Sequence, residues 1–63
     1  MAQYRFELLD SSGKVFDKKL IDCDDREAAL DHAGEILAQT GAAAGVEVWN
    51  GPQMVQCLKK PGS

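Results

Sequence analysis

Only one segment of the chain has helical periodicity, and segments of alternating polarity lie on both sides of it. Between residues 24 and 41 the apolar side chains recur every three or four positions and form one stripe, which consists of Ala29, Leu30, Ala33, Ile36 and Leu37. A lone helix must bury such a stripe against another element. In a chain of 63 residues, only the segments that flank the helix can form that element. The sequence therefore predicts one helix packed on one face of a sheet.

Carboxylates mark the start of this helix. Asp24 is the predicted N-cap, and Glu27 three positions later completes a capping-box pattern; Asp25 is the alternative cap. The helix dipole favours negative charge at this end, which explains the three acids without a binding site. Gly41, directly after Thr40, is the predicted stop.

The segment before the helix predicts a hairpin. Residues 3–9 alternate between apolar and polar side chains, as a half-buried strand does. Residues 10–13, "DSSG", are typical of a turn, with an Asp that bonds its own backbone and a Gly free to take positive φ. The return strand is predicted from residue 14 to about residue 21, with a bulge or break at residues 17–19, where "DKK" interrupts the apolar pattern.

The segment after the helix, "VEVWNGPQMVQC", predicts a second hairpin. A two-residue Asn-Gly turn sets apolar residues against polar ones across the strands, whereas a four-residue loop at 50–53 sets like against like. The longer loop is therefore the prediction. Its cross-strand pairs are Trp49 with Met54, Val48 with Val55, Glu47 with Gln56, and Val46 with Cys57.

These elements predict an α+β fold of order β-β-α-β-β, in which two β-hairpins form a four-stranded antiparallel sheet with one amphipathic helix packed on one face. A right-handed crossover between the hairpins favours strand order 2-1-3-4, with other orders open. Residues 1–58 are predicted as the single α+β domain and residues 59–63 as a flexible C-terminal tail. The sheet side of the predicted core contains Tyr4, Phe6, Leu8, Val46, Val48, Val55 and Cys57.

"YRFELLD" followed by "DKKLIDCDDREAALDHA" resembles a family of short proteobacterial proteins, common in rhizobia and their relatives, that is catalogued as a domain of unknown function. Its members open with an aromatic-rich strand and carry a capped helix beginning "D-x-E-A-A", and "VEVWNGPQ" is similar to their last hairpin. Leu20 stands where the family usually has Gly. The resemblance implies a β-β-α-β-β fold and a bacterial source, and it brings no activity, substrate or catalytic residue. The matching positions are Asp17, Ile21, Asp22, Cys23, Asp25, Glu27, Ala28 and Ala29.

The charge balance restricts the classes of partner. Ten acids against seven bases give a net charge of −3 and repel phosphate backbones, so we expect no nucleic acid as a partner. No segment approaches the roughly 20 apolar residues that cross a bilayer, and "MAQYRFELLD" has no targeting pattern, so we expect no membrane partner and a cytoplasmic protein. In that reducing compartment Cys23 and Cys57 are expected to stay as thiols.

The stretch "CDDREAALDHAGEIL", residues 23–37, has the residue types of a metal or acid/base site. About eight residues of helix separate the capping acids from His32 by roughly 12 Å, which excludes a shared ion. Asp31, His32 and Glu35 remain at helical contact spacing and are the candidate metal ligands. A zinc site needs three or four convergent ligands, and no second His or paired Cys supplies them. We therefore expect a solvated helix face, no metal and no cofactor.

The two cysteines are the candidate nucleophiles. Cys23 lies near the helix N-terminus, which favours a thiolate, but Asp22, Asp24 and Asp25 oppose a further negative charge. Cys57 is expected to be a small core residue on the last strand. We expect no catalytic residue and no enzyme activity.

The remaining candidate is the sheet face away from the helix. Trp49 and Met54 fall on that face beside Arg5. An exposed sheet face is commonly covered by another protein molecule, so these three residues are the predicted contacts of a protein partner or homodimer. Gly34 and Ala38 on the outer side of the helix are either neutral surface or a second packing site. The alternative function is a small regulatory or antitoxin-like protein that binds a partner protein, since antitoxins of the HicB type also lay a helix beginning "EAA" after a short antiparallel sheet.

Overall fold

The computed structural model describes residues 2–60 of the chain, which form one four-stranded antiparallel sheet and one helix. The spatial order of the strands is β2-β1-β3-β4, and the helix connects β2 to β3. The predicted α+β fold and the favoured strand order are both confirmed. In chain order the elements are β1 (Ala2–Leu9), β2 (Val15–Cys23), α1 (Arg26–Gln39), β3 (Gly45–Asn50) and β4 (Gln53–Lys59).

Helix α1 is capped by the second of the two candidate aspartates. The side chain of Asp25 accepts a hydrogen bond of 2.8 Å from the backbone N–H of Ala28, so the predicted cap at Asp24 is wrong and the alternative is right. The shift by one residue places Glu27 at the second position of the first turn, where the helix dipole stabilises its negative charge but its side chain cannot close a capping box. The helix ends at the extended C-cap Thr40, whose N–H donates to the Ile36 carbonyl.

The first hairpin turns through the predicted Asp and Gly. One carboxylate oxygen of Asp10 accepts from the Ser12 hydroxyl at 2.6 Å, the Ser12 N–H at 2.9 Å and the Lys14 N–H at 3.1 Å. The Ser12 hydroxyl bond, more than the others, lowers the pKa of Asp10 below its ordinary value. Gly13 has φ of +87°, as predicted for the turn. The bulge in β2 lies at Phe16, between the residues that pair with Leu8 and Leu9, and not at 17–19.

The second hairpin is tighter than predicted. Asn50 pairs with Gln53, so the loop has two residues, Gly51 and Pro52, and the predicted four-residue loop is wrong. Gly51 has φ of +61° and the ring of Pro52 holds a negative φ, as a type II′ hairpin turn requires.

The observed loop differs from the Asn-Gly turn that the polarity pattern argued against, and a bulge in β4 shifts the pairs beyond it. Trp49 pairs with Met54 as predicted, but Val48 then pairs with Gln56, because Val55 is an extra residue in the strand. The remaining pairs move by one position relative to the prediction. They are Glu47 with Cys57 and Val46 with Leu58.

The core lies between α1 and the facing side of the sheet. The prediction is wrong for Cys57, since the bulge turns it to the opposite face and brings Leu58 to the helix side. Cys23 at the end of β2 is buried in the core, although sequence reasoning placed it only near the helix terminus. The buried cluster consists of Tyr4, Phe6, Leu8, Cys23, Ala29, Ala33, Ile36, Leu37, Ala43, Val46 and Val48.

Strand β4 continues to Lys59, the first residue of the predicted tail. Lys60 follows it with two hydrogen bonds, from its backbone N–H to the Ala44 carbonyl and from its ammonium group to the Thr40 carbonyl. Residues 61–63 of the predicted tail lie outside the described residues. Within residues 2–60, α1 is the only helix, and it is neither long nor apolar enough to cross a bilayer.

Candidate functional site

The sheet side away from α1 has no element packed on it among residues 2–60, and we call it the outer face. Directly paired residues on neighbouring strands project to the same side of a sheet, so the strand registers define this surface. The outer face consists of Gln3, Arg5, Glu7 and Leu9 from β1, Val15, Lys18, Leu20 and Asp22 from β2, Gly45, Glu47 and Trp49 from β3, and Met54, Cys57 and Lys59 from β4.

The three predicted contact residues lie side by side across the middle of the outer face. Arg5 pairs with Trp49, and Trp49 pairs with Met54. The guanidinium carbon of Arg5 is 5.1 Å from the centroid of the Trp49 ring, within the range of a cation–π interaction. Leu20 of β2 completes this line of four residues, which we call the arginine row.

A second line of side chains crosses the sheet beside the arginine row. It consists of Lys18, Glu7, Glu47 and Cys57, and we call it the glutamate row. The carboxylates of Glu7 and Glu47 belong to directly paired residues, an arrangement that repels unless each carboxylate has a partner.

Both glutamates find their partners in the arginine row. Nε of Arg5 is 2.8 Å from Oε2 of Glu7; the N–H is not directed at an acceptor, so this contact is an ion pair without a hydrogen bond. The indole N–H of Trp49 donates to Oε1 of Glu47 over 3.2 Å. The two contacts hold the Arg5 and Trp49 side chains against the glutamate row.

The large exposed apolar side chains of residues 2–60 lie on the outer face or at the β2 edge beside it. Leu20 is 62% exposed and Met54 is 45% exposed, and they lie at the two ends of the arginine row. Val15 and the bulge residue Phe16 are also exposed, near the start of β2. Sequence reasoning missed Leu20 and Phe16, because the bulge at Phe16 shifts the register of the first hairpin and only this shift pairs Leu20 with Arg5.

Charge is unevenly divided between the two sides of the molecule. Three acids, Glu7, Asp22 and Glu47, match three bases, Arg5, Lys18 and Lys59, so the outer face carries no net charge. Residues 24–39, which contain α1, carry five acids and one base, a net charge of −4. The negative charge of the protein is therefore concentrated on the helix side.

The candidate metal ligands do not converge on one point. Asp31, His32 and Glu35 are all exposed on α1, and the His32 ring lies 6.0 Å from that of Phe6, tilted by 53°. His32 therefore covers part of the core through its ring. Within residues 2–60 no three His, Cys, Asp or Glu side chains are grouped closely enough to hold a metal ion.

Cys23 and Cys57 are separated by the full width of the sheet. Their strands β2 and β4 are its two edges, about 14 Å apart at the usual strand spacing, whereas a disulfide needs Cα atoms within about 7 Å. Both thiols are free. Burial, and after it the charges of Asp22, Asp24 and Asp25, raise the pKa of the Cys23 thiol.

We expect Cys23 to react much more slowly with a thiol reagent than Cys57. A raised pKa lowers the fraction of reactive thiolate at pH 8, and burial excludes the reagent, whereas Cys57 is only half-buried. The variants Cys57→Ser and Cys23→Ser each retain one thiol, and their rates with Ellman's reagent measure the difference. Equal rates in the folded variants would contradict the placement of Cys23 in the core.

Comparison with known proteins finds no matching family model, no matching curated protein and no matching solved structure. The resemblance to the short proteobacterial family therefore stays a prediction.

Proposed function

We propose that this protein is a small non-enzymatic association module that self-associates through the outer face, with Arg5, Trp49 and Met54 as central contacts. The observation that carries the proposal is the arginine row. It places an arginine stacked on an indole between two exposed apolar side chains, Leu20 and Met54. Tryptophan and arginine are the residue types most often found to dominate the binding energy of protein interfaces.

Charge favours the outer face over the helix side for contact with a second copy. Two helix sides meeting each other would bring together net charges of −4, whereas two outer faces are neutral. Like charges brought together at an interface cost several kcal/mol in total. A second copy is therefore the occupant that best matches this face.

The two edges of the sheet are poorly suited to pairing with another strand. Edge β2 has a bulge at Phe16 and the adjacent lysines Lys18 and Lys19, and edge β4 has a bulge at Val55. Bulges and lysines are the usual devices by which edge strands avoid pairing with other chains. Association through the face of the sheet is consequently favoured over extension of the sheet.

The size of the outer face sets the expected strength of association. Four strands at a spacing of about 4.8 Å, each contributing about six residues, cover roughly 400 Å² per copy in projection. Stable interfaces bury about 800 Å² per partner, so the dimer is expected to be weak and dependent on concentration.

We expect the wild-type chain to pass from monomer to dimer as its concentration rises, and Trp49→Ala to weaken the dimer about tenfold. Removal of the indole takes away the largest side chain of the face and the support of Arg5. Sedimentation equilibrium from about 10 μM to about 1 mM covers the range of weak interfaces. Circular dichroism of each sample shows whether the variant is folded.

The matched control for this experiment is Ala38→Glu on the exposed side of α1. A charge at this position disrupts packing of two copies through Gly34 and Ala38 but leaves the outer face unchanged. We expect wild-type association from the control. A wild-type chain that stays monomeric at every concentration contradicts self-association, and a monomeric Ala38→Glu variant assigns the contact to the helix instead.

The cytoplasmic location is part of the same proposal. The two cysteines lie at opposite edges of the sheet and cannot form a disulfide with each other, an arrangement suited to a reducing compartment. The antitoxin-like alternative stays a prediction, because no contact among residues 2–60 bears on a toxin partner.

A further inference from the structure

The positions of charge on the outer face determine how two copies can be oriented. Strands β1 and β3 lie at the centre of the sheet and carry Arg5, Glu7, Glu47 and Trp49. Neighbouring residues on one side of a strand are about 7 Å apart along it, so the arginine row and the glutamate row lie about 7 Å apart. These four side chains form a rectangle in the middle of the face, with the two acids at one end.

Two sheets that pack face to face in the aligned manner lie about 10 Å apart, with a small angle between their strands. A symmetric pair has a two-fold axis in the plane between the sheets. That axis runs either along the strands or across them. The two choices bring different side chains of the second copy over the central rectangle. The small angle between the strands displaces residues at the sheet edges more than those at the centre.

With the axis along the strands, each row lies over the same row of the partner subunit. Strand β1 then lies over β3 of the partner subunit. Glu7 then lies over Glu47 of the partner subunit, and the symmetry repeats this contact. Glu7 and Glu47 are already half-buried in the monomer, so the dimer would bring four carboxylates together away from water. Like charges in such an interface are strongly unfavourable.

With the axis across the strands, each strand lies over the same strand of the partner subunit. The arginine row then lies over the glutamate row of the partner subunit. Arg5 then lies over Glu7 of the partner subunit, and Trp49 lies over Glu47 of the partner subunit. Each of these contacts occurs twice. They repeat, between copies, the same two pairings that exist within each chain: the Arg5 ion pair with Glu7 and the Trp49 hydrogen bond to Glu47.

We propose that two copies associate with the two-fold axis across the strands, between the arginine row and the glutamate row, so that Arg5 of each copy pairs with Glu7 of the other. This inference rests on the proposed self-association of the outer face. It adds a rule of selectivity: the charges at positions 5 and 7 decide which chains pair.

Glu7→Arg and Arg5→Glu test this orientation by sedimentation equilibrium at low ionic strength. Each variant alone places like charges over like charges in the proposed dimer, so we expect each to self-associate at least about tenfold more weakly than the wild type. In an equimolar mixture, the two bases at positions 5 and 7 of the Glu7→Arg variant lie over the two acids at the same positions of the Arg5→Glu variant. We expect the mixture to associate at least as tightly as the wild type, and 0.5 M salt to reduce the difference.

The Glu7→Arg variant distinguishes the two axes. With the axis along the strands, its new guanidinium would lie over Glu47 of the partner subunit, and self-association would become tighter. Tighter self-association of Glu7→Arg, or a mixture no tighter than the separate variants, overturns the proposed orientation while self-association stands. Monomers in the wild type, the variants and the mixture contradict both the orientation and the proposed function.

The double variant Arg5→Glu/Glu7→Arg is the control for folding, because it preserves the ion pair within the chain with its direction reversed. We expect it to self-associate more tightly than either single variant, because acid and base again lie over each other, but more weakly than the wild type, because the Arg5 stack on Trp49 is lost. We also expect it to mix poorly with the wild type, since each mixed pair would set base over base and acid over acid. Free mixing of the folded double variant with the wild type would overturn the orientation even if the single variants do not fold.

Discussion

Phe6→Ala is expected to lower the free energy of unfolding by about 3–5 kcal/mol, the range for loss of a buried aromatic side chain. Phe6 has no exposed surface, lies on the central strand β1 and contacts the ring of His32. A domain of 63 residues has a total stability of about 3–9 kcal/mol, so the variant loses about a third of it or more. Urea unfolding followed by circular dichroism, at a protein concentration too low for dimers, measures the loss.

Phe16→Ala provides a matched control with the same change of side chain. Phe16 is 42% exposed in the bulge of the edge strand β2, so its removal leaves no cavity in the core. We expect this variant to lose less than about 1 kcal/mol. Losses of similar size for the two phenylalanines would show that the core does not lie between the helix and the central strands.

Gly45→Ala is expected to lower the free energy of unfolding by about 1–3 kcal/mol through a steric clash. A Cβ atom at this position would lie 2.9 Å from the carbonyl oxygen of Leu58 and 3.6 Å from Cδ1 of Leu9. The carbonyl belongs to the backbone of β4, so it cannot move away without disturbing the pairing of β3 with β4. Thermal unfolding should show a lower midpoint for this variant than for the wild type.

The same substitution at Gly34 is expected to have the opposite sign. Gly34 lies inside α1, and a Cβ atom there meets no atom within 4 Å. Alanine is favoured over glycine in a helix interior by about 0.5–1 kcal/mol, so Gly34→Ala should raise the midpoint. A rise in both variants would contradict the close approach of the strands at Gly45, and a fall in both would contradict the open space at Gly34.

Periodicity along the chain was sufficient to predict the elements but not their register. The alternation of β1 and the apolar stripe of α1 are local patterns, and both elements formed where the sequence predicted them. The bulges at Phe16 and Val55 were not predictable in the same way. Each is an extra residue relative to the neighbouring strand, so its position depends on pairing with residues that are distant in sequence.

The bulge in β4 changed the candidate site as well as the fold. The expected pairing put Cys57 in the core, whereas the observed pairing puts it in the glutamate row and gives its place in the core to Leu58. The prediction for Trp49 and Met54 was unaffected, because their pair lies between the turn and the bulge. Leu20 belongs to the arginine row because the observed register of β2 on β1 pairs it with Arg5.

The sequence by itself determined that one capped helix covers one side of two hairpins, because apolar periodicity and turn residues act within a few positions of the chain. It also determined that negative charge is concentrated around the helix, since five acids and one base lie within residues 24–39. Only the tertiary structure decided which side chains share the outer face and in what order. The physical reason is that each cross-strand neighbour depends on a register, and one extra residue in an edge strand moves every later side chain to the other face.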